Sequence, residues 1–260
     1  MQIDIWCAFC QSITDPSLLE RYRRLLTAAE LAQGSRFYFA HDRHRYLITR
    51  ALVRTTLSRY ADVPPEQWTF VPNAYGRPGI SNADTRAGGI SFNISHSREL
   101  VVLAVTRDHA LGVDTEDVLT RSPPLEIADR FFAPEEVTSL RALPKERQQV
   151  RFFQHWTLKE SYIKARGMGL SLPLDQFAFH FQDTGEVRLT TQPQLQDPAE
   201  NWRFWQWWIE PSRQHMLALC ARHVLGNPPR LTLKQLVPLV SEEDLHTQRI
   251  ASSQAAADAT

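Results

Sequence analysis

Cysteine is scarce in this chain, and net charge is absent. Three cysteines in 260 residues are too few for a disulfide framework. Cys7 and Cys10 have no second CxxC or histidine pair to complete a zinc site, and on an alternating strand they point to opposite faces. A structural role is expected for them. The 29 basic and 29 acidic residues cancel, which argues against a general nucleic-acid or membrane-surface binder and leaves recognition to local clusters. No apolar run approaches the roughly 20 residues that span a bilayer. The start, "MQIDIWCAFC", lacks the basic flank and apolar core of a signal, so a cytoplasmic location is expected. A glycine-rich phosphate loop, a dinucleotide fingerprint and a G-x-S-x-G elbow are all missing. Any grip on phosphate must therefore come from side chains and strand-end amides.

What is present is enough apolar residue, 43%, for one large domain or two small packed halves. "IDIWCAF" alternates like a strand, and "DPSLLERYRRLLTAAELAQGSRFYF" reads as helices opened by an Asp-Pro signal. A longer helix is predicted from about Asp42 to Tyr60, with Arg43, Arg50 and Arg54 on a basic stripe and Leu47, Ile48, Ala51, Leu52 and Thr55 on an apolar arc. "PNAYGRPG" and "NADTRAGG" are turn-rich. "GISFNIS" and "ELVVLAVT" form a predicted hairpin connected by "HSR".

After Gly112 a similar order returns. A strand is followed by a helical stretch from about Leu125 to Leu143, a helix from about Glu146 to Arg166, and the strands "FAFHF", "EVRLT", "WRFWQWWIE" and "HMLALCARH". The predicted fold class is α+β, as two pseudo-equivalent α+β halves, residues 1–110 and 111–225. Residues 226–260, ending in "ASSQAAADAT", are expected to form a partly disordered tail. The four Trp of "NWRFWQWWIE" admit two readings, a stacking surface or a strand covered on both faces; the second explains them more simply.

Three stretches could carry chemistry. In "GVDTEDV", Asp114 and Glu116 project to the same side of a strand, while Asp117 begins the loop. They are either a solvated strand end or a seat for a hard divalent cation, Mg²⁺ in particular. In "RFFQHWTLKESYIKARG", Trp156, Glu160 and Lys164 recur every four residues on one face of an otherwise apolar helix. Glu160 and Lys164 either pair with each other or complete a site, the glutamate as metal ligand or base and the lysine as a charge on phosphate. "FNISHS" offers Asn93, Ser95 and His96 at a strand end, as a hydrogen-bonded turn or as phosphate contacts, and "YGRPG" holds Arg77 on a tight loop.

Taken in order, "YGRPG", "FNISHS", "GVDTE", "RFFAPEEV" and "WTLKESYIKARGMGLSLPL" resemble the surfactin-type (Sfp-like) 4'-phosphopantetheinyl transferases, from about Ser35 to Arg222. The resemblance implies two similar α+β halves with coenzyme A in the cleft between them. It implies Mg²⁺-dependent transfer of phosphopantetheine to a serine of an apo acyl, peptidyl or aryl carrier protein, releasing adenosine 3',5'-bisphosphate. By the same resemblance Asp114, Glu116 and Glu160 take the metal, and Lys164, Asn93, Ser95, His96 and Arg77 contact coenzyme A. Asp114, Glu160 and Lys164 are the implied catalytic residues, and Glu160, directly or through a metal-bound water, is the candidate base. Relatives often carry lysine or arginine for the 3'-phosphate where Glu30 and Gln33 stand here, so Arg36 or Arg45 is expected to substitute. A monomer with no nucleic-acid or membrane partner is expected. Two other readings use the same residues: a Mg²⁺-dependent nucleotide pyrophosphate hydrolase, which turns over coenzyme A without a carrier protein, and a non-catalytic carrier-protein adaptor, which has no need of a full metal set.

Overall fold

Alternating apolar residues in "QIDIWCAF" build the first strand, β1 (Gln2–Phe9), in which Ile3, Ile5, Trp6, Cys7 and Ala8 are all buried. The computed structural model describes residues 1–82, 88–120, 125–222 and 228–253, and its chain divides into two units. The first comprises Met1–Asp108 with Pro228–Leu245, the second His109–Asn227 with His246–Thr260.

In the first unit Asp15 caps α1 (Pro16–Arg23), accepting the Ser17 N–H at 2.9 Å with proline in the first turn. Thr27 and Glu30 form a reciprocal capping box at the start of α2 (Ala28–Ser35). Next, α3 (Ala40–Leu57) buries Leu47, Ile48, Ala51, Leu52 and Leu57. A short hairpin, β2 (Phe70–Pro72) with β3 (Pro78–Ile80), precedes a long one, β4 (Ile90–His96) with β5 (Leu100–Arg107). The expected basic stripe of α3 is only partly external. Arg54 is 1% exposed, donating to the carbonyls of Pro65 and Trp68 and to Glu30.

The second unit opens with β6 (Leu111–Asp117), continues through α4 (Glu126–Phe131), α5 (Pro134–Arg141) and α6 (Lys145–Arg166), and adds β7 (Phe177–Phe181), β8 (Val187–Thr191), β9 (Trp202–Ile209) and β10 (His215–Arg222). The single helical stretch expected over 125–143 is two helices. Pro134 starts α5, and the residue before a proline is driven to extended backbone, as Ala133 is at ψ 150°. Along β9, Trp202, Trp205 and Trp207 are buried and Trp208 is half-buried against a core cluster, so the strand is covered on both faces.

The expected tail requires correction. Residues Arg230–Val237 form β11, Ser241–Asp244 form β12 and Thr247–Ser252 form β13. β11 pairs parallel with β1, and β13 pairs antiparallel with β9, so each sheet takes an edge from the chain's end. The backbone groups of these strands find partners in ladders already begun, which is why a polar, weakly periodic segment is ordered. Residues 254–260 and 83–87, the latter within "NADTRAGG", lie outside the described residues. The first sheet runs β12-β11-β1-β5-β4 with one parallel pair; the second runs β13-β9-β10-β6 and is antiparallel throughout. Each unit is thus mixed α+β with one long helix, but the two sheets are wired differently. Cys7, Cys10 and Cys220 are free and buried, and burial pushes the Cys7 thiol up to about 12 and Cys10 to about 11, which makes them structural. Among the described residues no helix is long and apolar enough to cross a membrane.

Candidate active site

A glycine brings the two carrier elements of the site together. At Gly112 on β6, an added Cβ would lie 2.1 Å from the Ser161 carbonyl oxygen and 2.3 Å from the Ala165 nitrogen, so the backbone of α6 rests directly on the strand. Residues two apart share a strand face, so Asp114 and Glu116 follow Gly112 on the side that meets α6. Lys164 answers from the helix: its Nζ donates to Asp114 Oδ1 at 2.6 Å, with Asp114 nearly buried and Lys164 26% exposed. Glu160 lies one turn earlier. Its carboxyl is pushed up to about 7, first by burial, then by the charge of Asp114 and also by Glu116, with Lys164 pulling the other way. Three carboxylates and one ammonium therefore share one small region of the second unit.

Crowded carboxylates repel unless a cation relieves them. Among the described residues no three His, Cys, Asp or Glu side chains stand as a ready metal cage. The donor chemistry nevertheless fits a hard ion: Asp114, Glu116 and Glu160 supply oxygen only, and each of the first two raises the third. The remaining acid of "GVDTEDV" has a different job. Asp117 Oδ1 accepts the N–H groups of Leu119 and Thr120 at 3.1 and 3.0 Å, and Oδ2 accepts Gln214 Nε2 at 2.8 Å, fixing the start of the loop after β6.

The other predicted residues belong to the first unit. Asn93 and Ser95 are buried on β4, and His96 is exposed at its end. Asn73 Oδ1 accepts the N–H groups of Tyr75 and Arg77, both at 2.9 Å, and Gly76 supplies the left-handed residue at φ 85°. That turn delivers Arg77 to β4, where its guanidinium donates to the Phe92 carbonyl at 3.0 Å. Arg45 is paired with Asp42 at 2.6 Å, and Arg36 donates to Gln33 at 3.4 Å. Glu30 is held internally by Arg50 and Arg54.

Two residues with no role assigned from sequence stand beside the site. Lys159 and Glu136, both with no exposed side-chain surface, form an ion pair at 2.8 Å one residue before Glu160. The signal available was a lone lysine inside the apolar run of α6, and a glutamate three residues after Ala133 at a helix start.

Residues 110–220 match the family described as "4'-phosphopantetheinyl transferase superfamily", and residues 15–108 match "4'-phosphopantetheinyl transferase, N-terminal". The chain is 33% identical to the 4'-phosphopantetheinyl transferase Sfp of Bacillus subtilis, over 78% of this chain and 85% of that one. The chain belongs to the 4'-phosphopantetheinyl transferases. It is also 36% identical to the 4'-phosphopantetheinyl transferase HetI of Nostoc sp., over 68% of this chain and 74% of HetI. Both family segments fall on the transferase's own units: one ends at Asp108, where the first unit's leading segment ends, and the other spans β6 through α6 to β10.

Proposed function

We propose that this transferase moves 4'-phosphopantetheine from coenzyme A to a serine hydroxyl of an apo acyl, peptidyl or aryl carrier protein, in a Mg²⁺-dependent reaction that releases adenosine 3',5'-bisphosphate. The observation that carries this reading is the meeting of β6 and α6 at Gly112, which sets Glu160 among Asp114, Glu116 and Lys164. Asp114, Glu116 and Glu160 would hold the Mg²⁺, which when bound supplies positive charge against the pyrophosphate. The Lys164 ammonium, partly open to solvent, binds a phosphate oxygen and offsets charge growing on the leaving group. Glu160, directly or through a water on the ion it would hold, is the group placed to take the proton of the attacking serine hydroxyl. Arg77, Asn93, Ser95 and His96 give a second set of polar groups for coenzyme A, and Arg45 the cation for its 3'-phosphate.

Glu160→Ala is the direct test. Labelling of carrier protein by a fluorescent coenzyme A is expected to fall about 100- to 10,000-fold, the range for loss of a general base, with an unchanged circular dichroism spectrum. Full activity in that variant would reject the assignment. Turnover of coenzyme A with no carrier protein present would instead favour the hydrolase.

A further inference from the structure

The ion pair of Glu136 and Lys159 is fully satisfied. Lys159 Nζ has three acceptors for its three N–H groups: Glu136 Oε2 at 2.8 Å and the carbonyls of Leu174 and Phe177, each at 2.7 Å. The ring of Phe177 lies 4.2 Å away. Glu136 Oε2 also accepts the Ala133 N–H at 2.9 Å, while Oε1 accepts the Phe179 N–H at 2.8 Å and stands 3.3 Å from His155 Nδ1. Two side chains thus tie α6 to α5 and to the segment leading into β7.

Stability alone is a poor reason for such a pair. Desolvating two charges is costly, and well-packed apolar residues of similar volume often do as well or better. What the pair adds is direction. Successive residues on a helix are about 100° apart, so fixing the azimuth of Lys159 fixes those of Glu160 and Lys164. Gly112 sets how close α6 comes to β6, apolar packing of Phe152, Leu158 and Tyr162 limits its rotation coarsely, and the buried pair adds directional bonds at one azimuth. A turn of about 20° would swing a carboxylate some 6 Å from the helix axis by about 2 Å, several times the roughly 0.5 Å that a catalytic constellation tolerates.

We propose that Glu136 and Lys159 are positioning residues that set the rotation of α6 so that Glu160 and Lys164 face Asp114. This rests on the reading of Glu160, Lys164 and Asp114 as the site.

The test is the double variant Glu136→Leu/Lys159→Met in the full chain, assayed for carrier-protein labelling and thermal melting beside wild type, Glu136→Gln and Glu160→Ala. The expected result is a kcat about 10- to 100-fold lower in the folded protein, with KM for the carrier protein unchanged, and a lower melting temperature because the Ala133 and Phe179 N–H groups lose their acceptor. Glu136→Gln keeps the side chain's volume and the acceptor for the Phe179 N–H, but turns an amide donor toward both Lys159 and the Ala133 N–H, so it loosens the grip on Lys159 with less loss of packing than the double variant and a smaller fall in kcat. Wild-type kcat in a folded double variant overturns the proposal. So does a Glu136→Gln protein that melts lower yet transfers at the wild-type rate while folded. Retained transfer in Glu160→Ala would remove the site itself, a result distinct from either.

Discussion

Two lysines five residues apart on α6 grip carboxylates under opposite conditions. Lys159 and Glu136 are wholly buried, and the ammonium is surrounded by protein oxygens. Burial draws Lys159 below the usual lysine value, against the upward pull of Glu136. Glu136 is itself penalised by burial, but His155 and Lys159 outweigh this and hold it below the ordinary carboxylate range. Lys164 and Asp114 are as close, at 2.6 Å, yet Lys164 keeps about a quarter of its surface. The lesson is that one bond type serves architecture or chemistry according to what else reaches it. A lysine whose donors are spent on carbonyls cannot meet a ligand, whereas one that water reaches can exchange a protein carboxylate for a phosphate.

Methionine at each lysine breaks the contrast most sharply. Lys159→Met strands Glu136 as a buried charge and should cost about 3–5 kcal/mol of stability, read as a lower urea midpoint. Lys164→Met takes the ammonium from a buried Asp114 whose partner side is open to water, and should cost less, about 1–3 kcal/mol, while transfer falls about 100-fold through loss of a charge at the reacting phosphate. Equal destabilisation by the two would show that the difference in burial does not divide their roles.

Gly112→Ala probes the contact on which Lys164 depends and Lys159 does not. The clashing atoms are backbone and cannot rotate away, so α6 must lift from β6. A stability loss of about 1–3 kcal/mol is expected, with a fall in transfer larger than the loss of folded protein explains. A variant as active per folded molecule as wild type would mean that Asp114 and Lys164 need no such close approach.

These cases mark what was legible in the sequence. Strand spacing puts Asp114 with Glu116 and helix spacing puts Glu160 with Lys164, but only the family resemblance implies that the two pairs meet; Lys164 donates to Asp114 across fifty positions of sequence. β1, α3, the β4–β5 hairpin and α6 were legible because helix and strand spacing are local. Pro134, which splits the α4–α5 stretch, is a local signal that helical periodicity alone overrides. β11 was not legible: Leu231 pairs beside Ile3 across nearly the whole chain, and no periodicity reports a partner that far away. Arg54 and Lys159 were misplaced or left without a role for a common reason. Charged residues are normally exposed, and only the folded chain shows the carbonyls and carboxylates that make their burial tolerable. Gly112 opens the "GVDTEDV" motif, but its need to be glycine lies in a helix some fifty residues on.

Acid gives the gentlest test of the buried cluster. His155 is 1% exposed, with its ring centroid 5.5 Å from Phe132 and 5.0 Å from Phe181. Burial holds its pKa below the ordinary 6.5, against the pull of Glu136, with Lys159 and Arg151 adding to the depression. The unfolded chain therefore binds a proton that the folded one refuses, and stability declines as pH falls below about 6.5. Glu136, held below its ordinary 4.5, adds a second decline only as pH drops past that value toward its folded one. Each proton contributes at most about 1.4 kcal/mol per pH unit. Urea midpoints measured between pH 7 and 5 should therefore fall for wild type and fall less steeply for His155→Phe, which places a third ring between Phe132 and Phe181 and has no proton to accept. Parallel slopes for the two proteins would move the acid sensitivity away from His155.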